Sequence, residues 1–155
     1  MNFKIFYCFL IFFSACFSAN SSSNILPFEA SIGYYCSIVI NSPGVMVADV
    51  SGKRLDSKLS GGSPGRATVS TNAGEFYLLV KAPKAFDKAP SGVGRAEFAT
   101  EYNASGSTNL RGIPGTAKSR LKPGESNVTV DLKAVLQDGA FPHGAYRAET
   151  IIVCE

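Results

Sequence analysis

Residues 127–136 read Asn127-Val128-Thr129-Val130-Asp131-Leu132-Lys133-Ala134-Val135-Leu136. Val128, Val130, Leu132 and Ala134 alternate with Asn127, Thr129, Asp131 and Lys133. In an extended chain successive side chains point to opposite faces, so this period of two predicts a strand with one face buried and the other wet. Turn chemistry brackets it: Lys122-Pro123-Gly124-Glu125 before and Asp138-Gly139 after.

The same signature recurs on both sides. Over 95–102, Ala96, Phe98, Thr100 and Tyr102 go inward while Arg95, Glu97 and Glu101 go outward. Over 66–71, Ala67 and Val69 share a face. Over 75–81, Phe76, Leu78 and Val80 point one way, and apolar Tyr77 and Leu79 on the other face suggest cover on both sides. Ile32, Tyr34, Cys36, Ile38 and Ile40 alternate over 32–41, and 45–50 forms a second short strand. The closing strand, 145–154, lines up Tyr146, Ala148, Thr150, Ile152 and Cys154.

Between these lie Ser42-Pro43-Gly44, the polar stretch 51–65, Asn72-Ala73-Gly74, the long connection 82–94 and the Gly/Ser/Thr-rich segment 103–118, all read as turns or loops. Residues 117–121 read as a short edge strand, and 82–88 has room for a single helical turn. Seven to eight short strands with turns between them predict an all-β fold, an antiparallel two-sheet sandwich of Ig-like or pilin-like type. A barrel is the alternative.

The N-terminal residues give an address. Met1-Asn2-Phe3-Lys4 is followed by an apolar run over 5–17 broken only by Ser14, and then by small and polar residues over 18–24. That order is the secretory signal-peptide pattern. The run is shorter than the roughly 20 residues a transmembrane helix needs. The predicted organisation is a leader over 1–19, an N-terminal arm over 20–31 and a single domain over 32–155. Phe13-Ser14-Ala15-Cys16 resembles a bacterial lipobox, which makes a lipidated Cys16 the alternative to cleavage near Ala19. The predicted location is periplasm, outer surface or exterior, with no transmembrane segment in the mature chain.

Without the leader two of the four cysteines remain, Cys36 and Cys154, near the two ends of the mature chain. In an exported protein such a pair reads as a disulfide, which brings the first and last strands together. Free thiols or an intermolecular bridge are the alternatives.

Candidate chemistry is sparse. Trp is absent and the single histidine, His143, sits in the turn-like run Phe141-Pro142-His143-Gly144. A metal centre needs several convergent ligands, and no Gly-x-Ser-x-Gly elbow marks a nucleophile. The expectation is a non-enzyme without cofactor or metal. The formal charge of +3, from 15 basic and 12 acidic residues, is too small to argue for nucleic acid. Lys53, Arg54 and Lys58 cluster in one stretch and Lys84 and Lys88 in another, and convergence of the two would suit an anionic glycan or headgroup.

The ending Gly144-Ala145-Tyr146, followed by the alternating residues up to Cys154, resembles small secreted bacterial sandwiches, the spore coat U-type and related pilin-like exported proteins. The run Phe76-Tyr77-Leu78-Leu79-Val80 with Pro83 and Phe86 is similar to theirs as well. The resemblance implies an extracytoplasmic Ig-like sandwich, often fimbria- or surface-associated, with no catalytic residues to carry over. In fimbrial subunits of the donor-strand kind an N-terminal extension enters a neighbour. Leu26, Phe28, Ala30 and Ile32 alternate as such an extension would, and they would equally lengthen the first strand. Two roles follow as expectations: a structural or adhesive surface protein, of which a fimbrial-type subunit partnered with itself through strand exchange is one form; or a periplasmic or secreted module binding a glycan, an anion or an envelope protein.

Overall fold

A computed structural model describes residues 22–155. The leader expected over 1–19, with Cys8 and Cys16, and the first two residues of the expected arm lie outside the described residues. The chain divides into two units, Met1–Ile32 and Gly33–Glu155. In the described part of the first, residues 22–32, no strand or helix forms, and Ile25, Leu26, Phe28 and Ile32 are exposed.

The second unit is all β, with ten strands: β1 (Cys36–Ser42), β2 (Val47–Ala48), β3 (Arg54–Asp56), β4 (Gly65–Thr71), β5 (Tyr77–Lys81), β6 (Ala96–Gly106), β7 (Leu110–Pro114), β8 (Ser119–Arg120), β9 (Gly124–Leu136) and β10 (Ile151–Cys154). Every pairing is antiparallel. The described residues contain no helix, so none is long and apolar enough to cross a membrane. The helical turn expected over 82–88 is likewise absent.

The larger sheet is organised by β9. One edge of β9 pairs with β6 from Ser126 to Leu136. Its other edge pairs first with β4, ending at Gly65↔Val130, and then with β3, starting at Asp56↔Lys133. Ser57 fills the gap between those two partners. Its amide donates to the Leu132 carbonyl (3.0 Å), and its hydroxyl accepts from the Leu132 amide (3.1 Å) and donates to Asp131 (2.7 Å). Buried backbone groups must find partners, and one serine supplies them where the ladder changes strands. β1 extends the sheet beyond β4, and β7 extends it beyond β6. The smaller sheet has the order β10-β5-β8.

The two sheets share one apolar core. Val69, Tyr102, Ala104, Val128 and Val130 come from the larger sheet and Leu78 and Val80 from the smaller, with Leu121 beside them. β5 is also fixed by polar contacts from β6. Thr100 Oγ1 donates to the Val80 carbonyl (2.8 Å), and the Tyr102 hydroxyl lies 3.1 Å from the Leu78 carbonyl, 3.0 Å from the Ala117 carbonyl and 2.8 Å from Ser119 Oγ. Gly115 passes so close that a Cβ there would stand 1.9 Å from Thr100 Oγ1 and 2.2 Å from the Val80 oxygen, so this crossing admits no side chain.

Several expected boundaries shift, each for a physical reason. The strand expected over 32–41 begins at Cys36. Before it the Asn72 side chain replaces a ladder partner, accepting from the Tyr35 amide (2.9 Å) and donating to the Gly33 carbonyl (2.9 Å). The segment 103–118, expected as loop, holds the end of β6 and all of β7. Its Asn, Ser and Gly content disfavours strand, but continuous pairing with β9 overrides propensity. The stretch 51–65 contains β3, whose Leu55 is buried. The strand expected over 45–50 shrinks to two residues, and the closing strand expected over 145–154 starts at Ile151. Upstream of it, Arg147 bridges instead to Lys88 in the long connection.

Candidate functional site: the open edge between the sheets

Cys36 and Cys154 are bonded, with Cα atoms 6.3 Å apart. The bond joins the start of β1, in one sheet, to the end of β10, in the other, so the first and last strands are neighbours without being paired. Each is an edge strand of its own sheet.

Away from the bond the two edges leave apolar surface uncovered. Cys36, Ile38 and Ile40 share a face of β1, opposite Thr71, Val69 and Ala67 of β4. Along that row cover fails in one direction: Cys36 and Ile38 are partly buried against the core, whereas Ile40 is 66% exposed although its neighbour Ala67 is 1% exposed. On the facing strand Ile152 and Cys154 pack on the core, and Ala148 and Thr150 continue their phase. Ala148 and Thr150 line a cavity of about 100 Å³ together with Val45, Met46 and the core residues Val130 and Leu132. We call the space beside this row, from the disulfide at Cys36 to the exposed Ile40, the wedge; the cavity itself is lined by no residue of β1 or β10.

An edge strand exposes unpaired N–H and C=O groups and is a template for a further strand. β1 offers seven residues of such edge next to exposed apolar side chains. What this arrangement can do is accept an extended segment whose alternate side chains are apolar.

The five cations singled out in the sequence fall in three neighbourhoods. Lys53 and Arg54 border the loop organised by Asp49, which accepts from their amides (3.1 and 3.4 Å) and from the Ser51 hydroxyl (2.9 Å). Burial alone would raise the Asp49 carboxyl pKa, and these hydrogen bonds reverse the effect and hold it below its ordinary value. Arg54 also lies 3.8 Å from Asp56. Lys58 pairs with Glu101, whose hydrogen bond raises the ammonium pKa against the opposing effect of burial. That pair sits in a cleft of about 290 Å³, lined also by Asp56, Asp131 and Lys133 on the larger sheet. Lys84 lines an open cavity formed by the connection between β5 and β6, and Lys88 bridges to Arg147 in the same connection. His143 is exposed in the turn after Phe141.

Two features escaped sequence reasoning. Phe86 stacks edge-on against Phe98, Tyr146 and Phe141, at centroid distances of 4.8, 5.1 and 5.8 Å. These four rings come from three separate segments with no common period. Arg95 faces the same cavity as Lys84, and strand alternation alone marks it only as outward.

Comparison with protein-family models, with curated proteins and with solved structures finds no match.

Proposed function

We propose that this chain is an exported, non-enzymatic structural or adhesive surface protein. In this reading it is a fimbrial-type subunit, an Ig-like or pilin-like sandwich, that assembles with copies of itself. The carrying observation is the wedge: two unpaired edges side by side, with Ile40 exposed on the row that elsewhere faces the core. The occupant is the N-terminal arm of another copy. Over 26–32 the arm places Leu26, Phe28, Ala30 and Ile32 in one phase, seven residues that match the length of β1. At roughly 3.3 Å per residue both run about 20 Å. Period-two apolar side chains would fill the wedge while the backbone pairs with an open edge. The Cys36–Cys154 bond supports export, since such bonds persist in oxidising compartments.

The test is electrophoresis of the protein from its native envelope, in SDS, unheated against boiled. The expected result is an unheated ladder of multimers that collapses to monomer on boiling. Ile40→Lys is expected to abolish the ladder with little loss of monomer stability, because Ile40 is already exposed. A single monomer band before heating, for both proteins, would overturn the reading.

A further inference from the structure

The connection between β5 and β6 is long and spans residues 82–95. Phe86 anchors it in the four-ring cluster. Two residues on, the Lys88 carbonyl accepts from the Arg147 amide (2.8 Å), and the Asp87 and Lys88 amides donate to the Arg147 carbonyl (2.8 and 3.2 Å). The Arg147 side chain adds an ion pair to Asp87 at 3.4 Å. Gly144 lies so close to the top of the connection that a Cβ would stand 2.4 Å from Pro90 Cγ. A loop of this length usually packs on its own side chains. This one is pinned to residues 141–147 and forms an arch.

Beneath the arch is an open cavity of about 680 Å³, lined entirely by residues between Pro83 and Phe98. That volume lies in the range of small-molecule sites, roughly 300–1,000 Å³. Its lining mixes polar and apolar surface, with Pro83, Phe86, Pro90, Val93 and Phe98 supplying the apolar part. Three charged side chains line it, Lys84, Arg95 and Glu97. Glu97 is engaged, accepting from the Gln137 amide group at 2.8 Å. Lys84 and Arg95, like most described cations, make no ion pair, and both are exposed. The cavity thus combines apolar patches with two cations against one carboxylate, a net positive lining.

We propose that the arch binds an organic carboxylate. The guanidinium of Arg95 takes the carboxylate with its planar fork, Lys84 adds a second positive charge, and the ligand's apolar face lies against Phe86, Pro90 and Val93. The ligand chemistry is shared by two sources, a uronic-acid residue of a polysaccharide and a free aromatic or aliphatic acid. This site is distinct from the wedge and stands whether or not the chain assembles.

Calorimetric titration of the full mature chain tests it with three probes: digalacturonate, benzoate and the uncharged disaccharide lactose. The expected result is saturable binding of one or both carboxylates, none of lactose, and a loss of about tenfold or more in affinity for Arg95→Gln, partly restored in Arg95→Lys. Arg95 is exposed and its backbone carbonyl serves the Gln137 amide, so the variant keeps its fold. Binding of digalacturonate alone identifies the sugar source, and binding of benzoate alone identifies the free acid. Failure of both carboxylates to bind at millimolar concentration, equal binding of lactose, or unchanged affinity in Arg95→Gln would overturn the proposal.

Discussion

Replacing Cys36 and Cys154 together by serine is expected to lower stability by about 5 kcal/mol, the value chain entropy gives for a bond closing a loop of more than 100 residues. The two cysteines are 118 residues apart and join different sheets. For a domain of this size the loss corresponds to a drop in melting temperature on the order of 15–20 °C. Reducing the intact protein should give the same drop. The structural consequence is local as well: without the bond nothing covalent holds β1 beside β10. An unchanged melting temperature, with or without reductant, would mean that the pair contributes nothing to the fold.

Tyr102→Ala is expected to cost about 3–5 kcal/mol, in the range of large aromatic truncations in cores. Tyr102 is fully buried in the larger sheet, and its hydroxyl reaches two carbonyls and the Ser119 hydroxyl across the core. Tyr102→Phe separates the two contributions. It keeps the ring, leaves those partners unsatisfied, and should cost about 1–3 kcal/mol. The hydroxyl also sets an alkaline limit. Burial raises the Tyr102 pKa above the ordinary 10.0, with the Ser119 hydrogen bond opposing. The unfolded phenol therefore ionises first. This stabilisation is complete below pH 10 and is lost as pH rises through the folded value. Urea melts of wild type and Tyr102→Phe at pH 7 and above pH 10 check the sign: the stability gap between them should narrow at the higher pH. A constant gap would mean that the buried phenol is not what titrates.

How much of this was legible in the sequence depended on whether a strand's neighbours speak through its own residues. β9 and the first half of β6 announce themselves because one face is apolar and the other polar, a pattern set by burial alone. The disulfide was legible because few cysteines remain beyond the leader-like segment. The second half of β6 and β7 were not, since Asn103, Ser105 and Gly106 carry no strand preference and depend on β9 to hold them. β3 is too short for periodicity to register, and Ser57's place between two ladder partners exists only after β9 has paired twice.

The wedge was half legible. The alternation of Leu26, Phe28, Ala30 and Ile32 suggested an arm, and Cys36 with Cys154 placed the chain ends together. That the two strands diverge beyond the bond could not be read, because β10 stops at Ile151 only where Arg147 turns to pair with the arch. The basic clusters illustrate the opposite case. Lys53, Arg54 and Lys58 are close in sequence, yet side-chain direction sends Lys58 to Glu101 and leaves Arg54 near Asp56. Arg95 and Lys84, eleven residues apart, line one cavity because an aromatic anchor bends the chain between them.

The central claim, that the wedge receives the arm of another copy, is tested most directly by cysteine cross-linking between co-expressed chains. One carries Ile40→Cys and the other a single cysteine at Leu26, Phe28, Ala30 or Glu29. Strand pairing places alternate arm residues on one face, so the predicted result is a reductant-sensitive dimer from one or more of the first three positions and none from Glu29. Absence of cross-linking at every position, or equal cross-linking from Glu29, would contradict the account.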